Sequence, residues 1–244
     1  MKDKSVATIA ALAVLILTIY ASSSFPLAKG QPNTPLPVIL IHGYNQDRSI
    51  WSVWKGLLES NGIPYHSVTF QQSDDACGLA IDHAMELESL VQDVLQETGH
   101  QQVNIVGYSK GGLDARVYLD NSNTGDVANL IMIATPNEGS ILADIYYPTD
   151  PCTPAVYDLL TGSEATQADI NPNTQYYTIS GIIYPNTWNG GGNPQIPGYD
   201  DGVVAVESVE SEEYINLGPT RHYHLHPPGQ MEYDLVEHIL TGQR

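Results

Sequence analysis

Gly107-Tyr108-Ser109-Lys110-Gly111 is the stretch of this 244-residue chain whose residue types and spacing most directly admit chemistry. A serine hydroxyl is a poor nucleophile at neutral pH. It must be raised clear of its sheet, within reach of a base and beside backbone N–H groups able to hold an oxyanion. Ahead of Ser109, the β-branched Val103, Ile105 and Val106 read as a short buried strand, and behind it a helix is expected to open at Gly111 or Gly112. Gly107 and Gly111 remove the Cβ atoms that would block so sharp a turn, and the helix N-terminus favours developing negative charge. The GxSxG pattern also occurs by chance, and a glycine-bracketed surface loop is the plain alternative. Context favours the nucleophile, because Asp200-Asp201 and the histidines His222, His224 and His226 follow in the chain order serine, acid, base.

The elements that must position these groups are legible in outline. Pro37-Val38-Ile39-Leu40-Ile41 is a continuous apolar run suited to the middle of a parallel sheet, and it leads into the small turn His42-Gly43-Tyr44-Asn45. Ile50 to Ser60 has helical spacing, and its tryptophans Trp51 and Trp54 are expected in the core. Ile63 to Phe70 reads as the next strand. Gly78 to Glu97 reads as an amphipathic helix, with Ile81, Met85, Leu87, Val91 and Val94 inward and Asp82, Glu86, Glu88 and Asp93 in solvent. His83 and His100 are read as ordinary structural histidines. Further strands are expected over Val127 to Thr135, Tyr176 to Gly181 and Glu213 to Leu217, and a terminal helix over Met231 to Leu240.

The strand into His42-Gly43-Tyr44, the Ser109 elbow, the run from Asp114 to Leu119 and the turn Thr135-Pro136-Asn137-Glu138-Gly139-Ser140 together resemble the α/β-hydrolase lipases and esterases, the secreted bacterial lipases above all. The resemblance covers most of the chain from Pro37 onward. It implies an α/β fold with a central, mostly parallel sheet, helices on both faces and a small cap inserted at residues 141–173. Carried over position by position, it makes the backbone N–H groups of Tyr44 and Lys110 the oxyanion donors and leaves His42 as a support for its loop. Asp200-Asp201-Gly202-Val203-Val204 is similar to the Asn-Asp-Gly-Leu-Val segment of bacterial lipases, which puts the acid on Asp201, with Asp200 as the alternative. Alignment of the terminal helix puts the base on His222, with His224 and then His226 behind it. Larger bacterial lipases bind calcium through an aspartate just beyond the base; Tyr223 and His224 stand there instead, so no metal and no cofactor are carried over.

The implied function is a secreted carboxylic-ester hydrolase acting on acyl esters or lipids through Ser109, His222 and Asp201, with transient contact at a lipid interface. A phospholipase or amidase on the same scaffold is the nearest alternative. A secreted acidic binding protein, or a metal-binding module using the three histidines, is the non-enzymatic one. Residues 1–30, with Lys2 and Lys4 ahead of an apolar run from Val6 to Tyr20, have the layout of an export signal, and residues 31–36 read as a linker into a catalytic domain spanning 37–244. The net charge of -19, from 28 acidic against 9 basic residues, disfavours binding to nucleic acid through a basic patch. The two cysteines, Cys77 and Cys152, are expected to form a disulfide in an oxidising compartment.

Overall fold

Every residue of β1 (Val38–Ile41) is buried, and its alternate side chains enter two different cores: Ile39 and Ile41 one, Val38 and Leu40 the other. A strand that is apolar on both sides belongs inside a sheet covered on both faces. The computed structural model, which describes residues 34–122, 124–183, 192–221, 224 and 226–243, has that layout. Among these residues the sheet has six strands in the order β2-β1-β3-β4-β5-β6. The others are β2 (Tyr65–Ser67), β3 (Val103–Tyr108), β4 (Val127–Ile133), β5 (Gln175–Gly181) and β6 (Ile215–Thr220), and all neighbouring pairs run parallel. One face is covered by α2 (Ala80–Thr98) and α3 (Lys110–Asn121), through Leu87, Val91, Leu113 and Ala115. The other is covered by α1 (Ser52–Ser60) and α6 (Gln230–Thr241), where Trp54 meets Tyr233 edge to face beside Leu58 and Val236.

The chain departs from its sequence expectations where side chains take over backbone partners. The strand expected over Ile63 to Phe70 pairs only through Tyr65–Ser67. Beyond it, Phe70 N–H donates to the Asp75 carboxylate at 2.7 Å, and the N–H groups of Gln71, Gln72 and Ser73 donate to Glu86 at 2.7, 3.1 and 2.6 Å. These carboxylates satisfy amides that a longer ladder would have used. In α2, Ile81 and Met85 are 45% and 60% exposed, contrary to expectation. The inward stripe instead runs Ala80, His83 and Ala84, Leu87, Val91 and Val94, which keeps the helical period but places a histidine in the core. The helix behind the elbow opens at Lys110, immediately after Ser109, rather than at a glycine.

Between β4 and β5 lie α4 (Ile141–Tyr146) and α5 (Thr153–Asp158), in the stretch read as a cap. The expected disulfide joins Cys77, ahead of α2, to Cys152 at the start of α5. The N–H of Ala155 also donates to the Cys77 carbonyl at 3.1 Å. The expected export signal and the first part of the linker fall at residues 1–33, outside the described residues. Among the described residues no helix is long and apolar enough to cross a membrane.

Candidate active site

In a parallel sheet, loops leaving the carboxyl ends of two strands open a crevice where the chain reverses its direction of travel across the sheet. Here that reversal lies between β1, whose successor β2 is on one side, and β3, which starts the run toward β6 on the other. The His42-Gly43-Tyr44 turn leaves β1 at this point and Ser109 leaves β3. Ser109 has φ 51° and ψ -125°, a region L-residues rarely occupy and which costs roughly 1–3 kcal/mol. Its N–H donates to the Ile133 carbonyl of β4 at 2.8 Å, which holds the strained residue in place. Glycines flank it because the backbone passes too close for side chains: a Cβ on Gly107 would lie 2.6 Å from Gly112, and one on Gly111 would lie 2.6 Å from the Ile41 carbonyl oxygen.

The structure brings Ser109 and Asp201 together through one imidazole, that of His224. Its Nε2 lies 3.0 Å from Ser109 Oγ and its Nδ1 2.8 Å from Asp201 Oδ2. The sequence reading places His222 in this position; His222 lies outside the described residues, and the ring between the hydroxyl and the carboxylate belongs to His224. Backbone geometry explains the choice. His224 N–H donates to the Asp201 carbonyl at 3.0 Å, and the Tyr108 hydroxyl donates to the His224 carbonyl, so the residue is pinned to both the acid loop and β3. The ionised carboxylate can only accept, so Nδ1 carries the proton and Nε2 presents its lone pair to the serine. Asp201 is fully buried, and its Oδ1 accepts from the N–H groups of Val203 at 3.0 Å and Val204 at 2.8 Å. Asp200, also fully buried, points elsewhere and accepts from Gly202 N–H at 2.7 Å and Asn193 N–H at 3.0 Å. The His226 carbonyl lies 3.4 Å from the Tyr108 hydroxyl.

Lys110 heads α3, where first-turn N–H groups have no intrahelical acceptor. Among the described residues, neither its backbone N–H nor that of Tyr44 donates a hydrogen bond, so both remain available to an oxyanion. The Tyr44 turn is shaped by Asn45, at φ 51°, whose N–H donates to the Ala76 carbonyl at 2.9 Å. His42 faces away: its Nε2 lies 2.9 Å from Asp75, and the ring braces the loop. Ser109, His224 and Tyr44 open into a cavity of about 340 Å³ whose walls are mainly apolar, with Leu142, Ala143, Val156, Leu159, Val203 and Val204 among the lining residues. Tyr44 and Asp150 both line it, and the Tyr44 hydroxyl donates to Asp150 at 2.7 Å; burial, with that carboxylate beside it, pushes the phenol up to about 12.

A buried charge cluster missed at the sequence level lies beneath the elbow. Lys110 Nζ donates to Asp114 at 2.6 Å and lies 3.3 Å from Asp158, while Asp114 holds His83 Nδ1 at 2.9 Å and the Asp74 carbonyl faces His83 Nε2 at 3.0 Å. With acceptors facing both ring nitrogens, the cluster favours an imidazolium. Burial alone would push His83 down, but the Asp114 carboxylate and its hydrogen bond outweigh burial and hold the group above the usual histidine value. A raised value means that the charged ring stabilises the fold fully below about pH 6.5, the unfolded value, and that this contribution is lost as pH rises through the higher folded value. Urea unfolding across that window should show stability declining on the alkaline side, and His83→Gln should flatten the decline.

A strained serine between the third strand and its helix, at the switch point of a parallel sheet and bonded to a buried imidazole, is the arrangement of the α/β-hydrolase fold. More narrowly, the chain belongs to the palmitoyl protein thioesterase family, which matches residues 37–180, from the start of β1 into β5. It is 33% identical over 146 residues to a triacylglycerol lipase of Burkholderia plantarii, covering 55% of this chain and 40% of that one. It is also 33% identical over 129 residues to a triacylglycerol lipase of Pseudarthrobacter phenanthrenivorans, covering 48% and 39%. The chain thus spans about two fifths of the length of these curated relatives. A crystal structure of the mature form of a Bacillus licheniformis lipase superposes with a TM-score of 0.69 at 25% identity, covering 88% of this chain and 95% of that one.

Proposed function

We propose that this chain is a serine hydrolase of acyl esters, a lipase or esterase, with Ser109 as nucleophile, His224 as general base and acid, and Asp201 as the acid that orients it. The observation that carries the reading is the continuous hydrogen-bonded line from Asp201 through His224 to Ser109, ending in a largely apolar cavity. Ser109 Oγ attacks the acyl carbonyl carbon while His224 Nε2 takes its proton, and the backbone N–H groups of Tyr44 and Lys110 receive the negative charge on the carbonyl oxygen. The C–O bond to the alcohol then breaks as His224 returns the proton to the leaving oxygen. Water, deprotonated by the same imidazole, releases the acid from Ser109. The apolar walls favour an acyl chain over a polar substituent. The resemblance to secreted lipases, the N-terminal apolar run and the Cys77–Cys152 bond support export.

A fluorophosphonate should label the folded protein once per chain, at Ser109, and Ser109→Ala should abolish both labelling and hydrolysis of p-nitrophenyl esters. Active protein left unlabelled at Ser109 would remove the proposal. A panel of oxyesters, acyl thioesters and amides of matched chain length then fixes the bond cleaved, since the family's description makes the thioester a direct competitor and all three would proceed through the same acyl-enzyme.

A further inference from the structure

Lys110 is only 2% exposed, although a buried ammonium costs several kcal/mol to desolvate and apolar side chains of similar volume often serve stability as well or better. Its position suggests what the charge does. The backbone N–H of Lys110 faces the oxyanion in the proposed reaction, and its side chain reaches back to two carboxylates on different elements. Asp114 is one turn further along the same helix. Asp158 is on α5, and it also accepts the N–H of Ala80, the first residue of α2, at 2.6 Å. Asp158 stands between Val156 and Leu159, both of which line the cavity. The lysine therefore ties the turn that carries the nucleophile to the helix that carries part of the acyl wall. Two cations, Lys110 and His83, face two anions, Asp114 and Asp158, so the cluster is balanced with His83 charged.

We propose that Lys110 is a positioning residue through its side chain, clamping the elbow against α5 so that the oxyanion donor and the acyl wall keep a fixed spacing. This rests on the assignment of Ser109 as nucleophile. Coupling through Asp114 sets the height of the first turn of α3 and acts on the chemical step. Coupling through Asp158 sets the distance of Val156 and Leu159 from Ser109 and acts on how well long acyl chains are held. A residue that only stabilises the fold would lower the fraction of active protein and leave kcat and KM of the folded fraction unchanged.

The test compares Lys110→Met and Asp158→Asn with the wild type on short and long p-nitrophenyl esters, with fluorophosphonate titration giving the concentration of active sites. Lys110→Met should still label once per folded chain but lose about tenfold or more in kcat on both substrates, since displacing an oxyanion donor by less than an ångström suffices. Asp158→Asn keeps an oxygen for the Ala80 N–H and removes the charge; its KM should rise severalfold for the long ester and hardly for the short one, with kcat nearly unchanged. Folded variants within about twofold of wild type on both substrates would overturn the proposal. If Lys110→Met does not fold, the chain-length dependence of KM in Asp158→Asn decides alone. Failure of the nucleophile assignment is seen separately, as wild-type protein that neither labels at Ser109 nor cleaves an ester.

Discussion

His224→Ala is expected to lower kcat for ester hydrolysis by about a thousandfold or more while His222→Ala leaves it within a few fold. The two residues are indistinguishable by type, and among the described residues the ring of His224 lies 3.0 Å from Ser109 Oγ and 2.8 Å from Asp201. In the proposed reaction, removing it leaves the serine without a proton acceptor and the leaving alcohol without a donor, so both halves suffer. The remaining rate comes from the backbone donors and from binding, which a side-chain truncation does not touch. The fold should survive, because the hydrogen bonds that hold this segment use the His224 backbone: its N–H to Asp201 and its carbonyl from the Tyr108 hydroxyl. Steady-state kinetics normalised to folded protein check the pair of variants. Loss in His222→Ala with retention in His224→Ala would reverse the assignment.

The reason this choice could not be made from sequence is physical. Histidines at alternate positions share a side-chain direction, and which of them meets the serine depends on how many residues the chain spends leaving β6 before its backbone pairs with the Asp201 loop. That pairing is a contact across 23 residues which no local pattern encodes. The strand-turn-helix around Ser109 was legible for the opposite reason: strand, glycines and helix lie within one short stretch, and steric demand at Gly107 and Gly111 is a local property. The runs forming β1 and β3 announced a sheet buried on both faces, and Trp51 and Trp54 announced the core beside it. His83 was hidden because its partner Asp114 lies on another helix, and the Lys110 side chain because Asp158 is 48 residues away; both were readable only as polar residues on apparently ordinary helices. The short β2 was hidden by Glu86, whose carboxylate captures three amides from across a loop.

Asp201→Asn should lower kcat by about three to four orders of magnitude, a larger loss than its small change in size suggests. The cause is the proton inventory around the imidazole. Oδ1 of Asp201 accepts from the N–H groups of Val203 and Val204, so an asparagine must present its only oxygen to those two donors. Its NH₂ group then faces His224 Nδ1, where an acceptor is needed. The ring answers by carrying its proton on Nε2 instead, and Nε2 then no longer accepts from Ser109. The same exchange one residue earlier provides the control. Asp200 accepts from Gly202 and Asn193, makes no contact with His224, and burial holds its carboxyl above the usual range. Asp200→Asn should therefore alter stability of the loop while leaving kcat within about tenfold. Because the oxygens of Asp200 are already committed to that loop, it cannot stand in for its neighbour, and Asp201→Asn activity within tenfold of wild type would mean that some other group orients the imidazole.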